Sequence, residues 1–227
     1  MKSLIIIPAR GGSKRIHKKN IKLFNGKPLI YYTIKVAREL FKDEIICVST
    51  DDQEIKSIVE SYGLDVPFLR SPFLASDTAS TQDVILDTLK WYEKNGYYPD
   101  TIILLQPTSP LRTINHLKDC LLEWDASLDM LTSVSLPFKD NLKNIFHENS
   151  NGFLNKIEEK NLLKYDQNKI FQLNGAIYMI RVEALKTRKI AEFSKVKKFI
   201  MKKIHSVDID TLEEWKSAES TYLNKLD

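Results

Sequence analysis

Residues 5–20 read IIIPARGGSKRIHKKN. An apolar run stops at Pro8, and the loop that follows carries Arg10, Lys14, Arg15, His17, Lys18 and Lys19 without one acid. A strand covered on both faces is continuously apolar, so the run reads as a buried strand. In an open α/β sheet the loop at the carboxyl end of a strand is where ligands bind. Gly11 and Gly12 allow positive φ and a close backbone approach, so amide N–H groups can face an anion. Arg10, Lys14, Arg15 and Lys19 add charge-assisted contacts to phosphate oxygens. The spacing is neither G-x-G-x-x-G nor G-x-x-x-x-G-K-[ST], which removes support for a dinucleotide fold or a P-loop. A solvated basic turn is the plainer reading.

Outward from this stretch, short apolar runs alternate with helical periodicity. PLIYYTIKVARELF, from Pro28, reads as a helix with proline at its first turn. EIICVST is the next strand, then the helix DDQEIKSIVESYG, where Asp51 and Glu54 have capping-box spacing and Gly63 is the stop. DVPFLR reads as a short strand, STQDVILDTLKWYEKNG as a helix ending at Gly96, TIILLQP as a buried strand, INHLKDCLLEWD as a helix and DMLTSVS as a strand. From Leu136 to Leu173 the rhythm breaks into Asn, Lys and Glu with scattered apolar residues. GAIYMIRV, from Gly175, resumes a strand, and TLEEWKSAESTYL closes the chain as a helix. Strands alternating with helices imply an α/β protein, a mostly parallel sheet flanked by helices. At 227 residues this is one domain, residues 1–227, with 136–173 as an insertion.

The net charge of +4 hides an uneven distribution. Residues 1–38 hold ten Lys or Arg and no acid, which leaves 24 basic against 30 acidic residues, a net −6, in the remainder. A local excess favours a small anionic ligand over a broad nucleic-acid surface, so no nucleic-acid partner is expected. The two cysteines, Cys47 and Cys120, lie in apolar runs and read as free buried thiols of a reducing compartment. The apolar start is too short for a signal peptide, and no window approaches the ~20 apolar residues of a membrane span, so a cytoplasmic location is expected.

Three further stretches carry polar chemistry. In VDIDT, Asp208 and Asp210 are two apart and share a face of an extended chain. Two carboxylates there repel unless a cation lies between them, and hard oxygen ligands suit Mg²⁺. Asp210 and Glu213 also have capping-box spacing, so Asp210 has an alternative as the cap of the last helix. In LLQPTSPLR, Gln106 follows a buried run and points to the crevice, while Thr113 could cap the next helix and Arg112 could form a surface pair. In ASDTASTQD, Ser80 and Asp83 have capping spacing, and the helix N-terminus could instead hold the polar edge of a base.

Together, IPARGGSKRI with KKNI, VSTDD, LASDTAS, LLQPTSPLR, NGAIY and SVDIDT resemble the cytidylyltransferases that activate nine-carbon acidic sugars, the CMP-sialic acid synthetases and their legionaminate and pseudaminate relatives. The resemblance implies a three-layer, Rossmann-like nucleotidyltransferase fold and a homodimer, with 136–173 as a dimerisation subdomain. It implies that Arg10, Gly12, Ser13 and Lys19 contact CTP phosphates with Asn20 near the ribose. Arg70, Ala79, Ser80 and Thr81 would surround the nucleotide. Gln106, Lys143, Asn174 and Tyr178 would form the sugar pocket, and Asp208 and Asp210 would hold Mg²⁺. Arg10, Lys19 and Asp210 would be catalytic, the first two neutralising the departing pyrophosphate and Asp210 accepting the sugar's proton. The family often has an arginine for the sugar carboxylate about ten residues before NGAIY. Here the stretch is KYDQNKIFQLNGAIY, where Lys164 or Lys169 stands in without arginine's bidentate fork. An eight-carbon Kdo-type or other sugar nucleotidyltransferase is the alternative reading.

Overall fold

The opening run forms β1 (Ser3–Pro8), and Leu4, Ile5, Ile6 and Ile7 are completely buried at the centre of the molecule. Burying each such side chain is worth about 1.5–3 kcal/mol relative to leaving it exposed. The computed structural model describes residues 1–137 and 144–224. A two-residue hairpin, β2 (Leu23–Phe24) and β3 (Lys27–Pro28), closes the basic loop and leads into α1 (Leu29–Arg38). The chain continues through β4 (Ile46–Ser49), α2 (Gln53–Ser61), α3 (Thr81–Lys94), β5 (Thr101–Leu105), α4 (Ile114–Glu123) and β6 (Met130–Ser135). Then come β7 (Ile145–Glu148), β8 (Leu154–Lys156), β9 (Ile170–Arg181), α5 (Val182–Thr187), β10 (Val196–Ile200) and α6 (Leu212–Leu223).

The main sheet runs β10-β6-β9-β5-β1-β4. β1 is parallel to β4 and β5, and β10 is parallel to β6, while β9 lies antiparallel between β5 and β6. Successive side chains of a strand face opposite ways. Ile5 and Ile7 therefore join the core beneath α1, α2 and α4, and Leu4 and Ile6 join the core beneath α3 and α5. The α/β reading with a mostly parallel sheet and helices on both faces holds. A third cluster, built on Phe24, Tyr32, Ile209 and Trp215, fixes α6 beside the hairpin and α1. That cluster carries residues 207–210 to the basic loop. Cys47 and Cys120 are free and buried, and burial pushes the Cys47 thiol up to about 12.

Several local readings are corrected. Asp52, not Asp51, caps α2, accepting from the Glu54 and Ile55 amides at 2.7 and 3.1 Å. DVPFLR makes only an isolated bridge, Thr50 with Leu69. The strand expected from Gly175 begins at Ile170, because β7 and β8 pair with each other and β7 pairs with the first part of β9. The irregular insertion thus contains sheet. Pairing with β6 slips across residues 174–177, and Gly175 takes φ +74° there. The last helix is capped by Thr211, with Glu214 closing the box, so Asp210 is free of that task. The box falls one residue later than Asp210 and Glu213.

Candidate active site

The carboxyl ends of β1 and β5 open into a cleft of about 490 Å³, lined by the basic loop, the 70–81 segment, Gln106–Thr108 and Asp210. Ile209 is fully buried and donates its amide to the Thr108 carbonyl at 2.8 Å, which turns Asp208 and Asp210 outward on either side of it. Lys19 Nζ donates to Asp210 Oδ1 at 3.0 Å and to the Ile209 carbonyl at 2.8 Å, and Arg15 Nη1 donates to Asp210 Oδ2 at 2.7 Å. Residues 190 and more apart in sequence therefore meet. Across the cleft Arg10 Nη1 donates to Asp77 Oδ1 at 3.0 Å, and Lys14 pairs with the same carboxylate.

The loop is held by its backbone. Asn20 donates from Nδ2 to the Arg10 carbonyl at 3.0 Å, and the Gly11 amide donates to Asp51 Oδ1 at 3.2 Å. Neither Gly11 nor Gly12 takes positive φ, contrary to expectation. Gly11 is needed for space instead: a Cβ there would lie 2.8 Å from Asp52 Cβ and closer still to its carboxylate. A Cβ on Gly12 would meet nothing within 4 Å. Arg70, 5% exposed, reaches Asp51 at 3.6 Å; burial lowers its pKa, partly offset by the Asp51 charge.

The cleft wall includes Arg10, Ser13, Lys19, Asn20, Arg70, Ala79, Thr81, Gln106 and Asp210 among the anticipated residues. Ser80 lies just behind it, capping α3 through the Asp83 amide at 3.1 Å. Next to Gln106 lies Gly175, whose missing Cβ would sit 3.5 Å from Asp208 Oδ2 and 3.8 Å from Gln106 Oε1. Tyr178 lies on β9 nearby; burial and then the Asp208 charge raise the pKa of its phenol, so it stays neutral. Asn174 does not line the cleft. Its amide is buried, with Oδ1 accepting from Ser133 Oγ at 2.6 Å and the Ala176 amide at 3.1 Å, and Nδ2 donating to Ser206 Oγ at 3.0 Å. Lys164 is exposed on a 3₁₀ turn and is not part of the cleft wall. Lys143 falls outside the described residues.

Arg112 is 3% exposed and makes no surface pair. It donates to the Ala176 carbonyl at 2.6 Å, to Thr33 Oγ1 at 2.7 Å and to the Gln106 carbonyl at 3.3 Å. This ties the end of β5 to the irregular part of β9 and to α1. Thr113 caps α4, as its spacing suggested. Asp77 was missed as a site residue; its signal was an acid inside LASDTAS when the facing loop has none.

The two clustered aspartates differ. Burial, and then the charge of Asp210, raise the pKa of Asp208, with the neighbouring Thr108 hydroxyl and the Lys19 charge opposing. Asp208 still presents accessible surface, although it is not among the residues that line the cleft. For Asp210 burial opposes ionisation, yet Lys19 and Arg15 outweigh it and hold the carboxyl below its ordinary value. That makes Asp210 a weak base, which suits an anchor for charge better than an acceptor of protons. Among the described residues no group of three or more His, Cys, Asp or Glu is arranged for a metal. Two carboxylates completed by phosphate oxygens and water are nonetheless the usual donor set for Mg²⁺, so the residues fit that ion.

The sequence matches the cytidylyltransferase family over residues 4–226. It is 34% identical to the CMP-N,N'-diacetyllegionaminic acid synthase of Legionella pneumophila, over 96% of this chain and 95% of that one. It is 30% identical to the pseudaminic acid cytidylyltransferase of Campylobacter jejuni, over 98% and 97%. Against the N-acylneuraminate cytidylyltransferase of Streptococcus agalactiae identity is 33%, and the match spans 52% of that longer protein. Its fold is shared with the CMP:2-keto-3-deoxy-manno-octonic acid synthetase solved with CTP, at TM-score 0.76 and 18% identity over 99% of this chain and 100% of that one.

Proposed function

The chain belongs to the cytidylyltransferase family, and on that premise we propose that it transfers CMP from CTP to the anomeric hydroxyl of a nine-carbon 2-keto acid sugar, releasing pyrophosphate. The observation that carries this reading is the meeting of Lys19 and Arg15 with Asp210 at the mouth of a cleft that Arg10, Lys14 and Arg70 also line. Relatives named for legionaminic, pseudaminic and N-acylneuraminic acids support the nine-carbon acceptor over an eight-carbon one.

In this account the chain's work is positioning and charge stabilisation. Arg10, Ser13 and Lys19 hold the triphosphate, Arg10 and Lys19 neutralise charge building on the leaving pyrophosphate, and Asn20 faces the ribose. Gly12 leaves open space for the phosphates. Arg70, Ala79, Ser80 and Thr81 surround the nucleoside. Gln106 and Asp208 meet at Gly175 as the acceptor end, Tyr178 is assigned to the same sugar pocket, and Asn174 shapes it from behind. Asp208 and Asp210 would hold Mg²⁺, which supplies neutralisation of the triphosphate. The sugar carboxylate is left to Lys164 or Lys169 of the 136–173 insertion, which lie off this chain's own cleft wall and would act from a second copy. That insertion carries Leu163, 95% exposed, and is proposed to pair with a second copy as a homodimer. A cytoplasmic site of action fits a chain in which no described helix is long and apolar enough to cross a membrane.

The test is pyrophosphate release from CTP and Mg²⁺ with N-acetylneuraminate, legionaminate, pseudaminate and Kdo in parallel. Turnover is expected with a nine-carbon acid. Turnover with Kdo alone would replace this reading by the eight-carbon one.

A further inference from the structure

The geometry points to Asp77 as the residue that sets how tightly the cleft holds pyrophosphate, by competing with it for Arg10 and Lys14; this rests on the cytidylyltransferase reading above. Five cations line the cleft, and Asp77 and Asp210 are the acids among its lining residues. Asp210 is accounted for by Lys19, Arg15 and the expected cation. Asp77 has no such role, yet it binds two of the phosphate-facing cations at once, Arg10 at 3.0 Å and Lys14. The Ser76 carbonyl accepts from the same Arg10 nitrogen at 3.5 Å, so the whole 76–77 segment closes on the loop.

These pairs are not built for stability. The side chains of Arg10, Lys14 and Asp77 are 38, 75 and 48% exposed. Ion pairs this open contribute little to folding and exchange readily for a better anion. A pyrophosphate arriving on Arg10 and Lys14 must displace Asp77 or lie beside it, and either raises its free energy. When pyrophosphate leaves, Asp77 restores charge balance in a loop that otherwise holds cations alone. Asp77 thereby limits product affinity without touching the reacting atoms.

The sign of the effect separates this role from a structural one. Inorganic pyrophosphate is titrated calorimetrically into the wild-type protein, Asp77→Asn and Asp77→Glu, at two ionic strengths. Removing one unit charge a few ångströms from the ligand in a high-dielectric cleft is expected to tighten binding by about three- to tenfold in Asp77→Asn. The gain should shrink as salt rises. Asp77→Glu, which keeps the charge, should bind pyrophosphate nearly as the wild type does. The ligand-free melting temperature of Asp77→Asn should stay within about 2 °C of wild type, as for other exposed substitutions. Unchanged or weaker pyrophosphate binding in Asp77→Asn overturns the proposal, because a residue that merely positions the loop would lose affinity when removed. If the wild-type protein binds neither pyrophosphate nor CTP, the cytidylyltransferase reading itself fails.

Discussion

Two carboxylates at opposite ends of the sheet each hold two cations, and their surroundings make them different devices. Asp129 stands just before β6, at the end of the sheet where β5 begins, and is 2% exposed. It accepts from Arg181 at 3.0 Å, from Arg188 at 2.7 Å and from the Ser194 and Lys195 amides, both at 3.1 Å. Asp210, where β1 and β5 end, keeps 46% of its side chain exposed and holds Arg15 and Lys19. Every oxygen of Asp129 is enclosed by donors from fixed elements, so nothing from solvent can take its place. Asp210 and its partners face open space, so an incoming polyphosphate and cation can rearrange them. The same ion-pair chemistry is a strut where it is buried and a binding site where it is open.

The largest expected effect is at the strut. Breaking a buried ion pair from one side costs about 3–5 kcal/mol, so Asp129→Ala should lower the melting temperature by on the order of 10 °C. Turnover per folded molecule should hold. Burial opposes ionisation of Asp129, but Arg188, Arg181 and the two amides overcome it and hold its carboxyl well below the ordinary range. Its contribution is therefore fully present above the unfolded value of 3.8 and is lost as pH falls through the lower folded value. Urea unfolding from pH 6 downward should accordingly be more acid-dependent in the wild type than in Asp129→Ala. Next come Asp208→Ala and Asp210→Ala, each expected to cut turnover by about 10²–10³, on the scale of losing one transition-state contact. Their melting temperatures should move by only a few degrees, and a large loss of stability would erase the contrast with Asp129. The smallest pair of effects lies in the basic loop. Gly11→Ala should cost about 1–2 kcal/mol, because its Cβ pushes Asp52 off the α2 cap. Gly12→Ala should leave stability within about 0.5 kcal/mol and raise the KM for CTP.

Much of this was legible in residue order. The alternation of apolar runs with 3.6-residue periodicity located the parallel strands and their helices, since that pattern is set by which faces must be buried. The basic loop and the paired aspartates were legible because charge type and spacing are local facts. What was hidden depends on pairing across distance. Ile170–Leu173 looked irregular because its partner β7 is short and mostly half-exposed. Arg112 read as a surface residue, because only the fold supplies the carbonyls of Gln106 and Ala176 that bury it. Asp51 and Asp52 are both adjacent to a helix, and the choice between them was settled by the Gly11 amide, forty residues away.

The central claim is that the amino-terminal cations and the carboxyl-terminal acids act as one unit around a triphosphate and its metal ion. Calorimetric titration of CTP, with and without Mg²⁺, into the wild-type protein and the Asp208→Ala/Asp210→Ala double variant tests it most directly. The account predicts that Mg²⁺ strengthens CTP binding at least tenfold in the wild type and has no such effect in the double variant. Equal strengthening by Mg²⁺ in both proteins would contradict it.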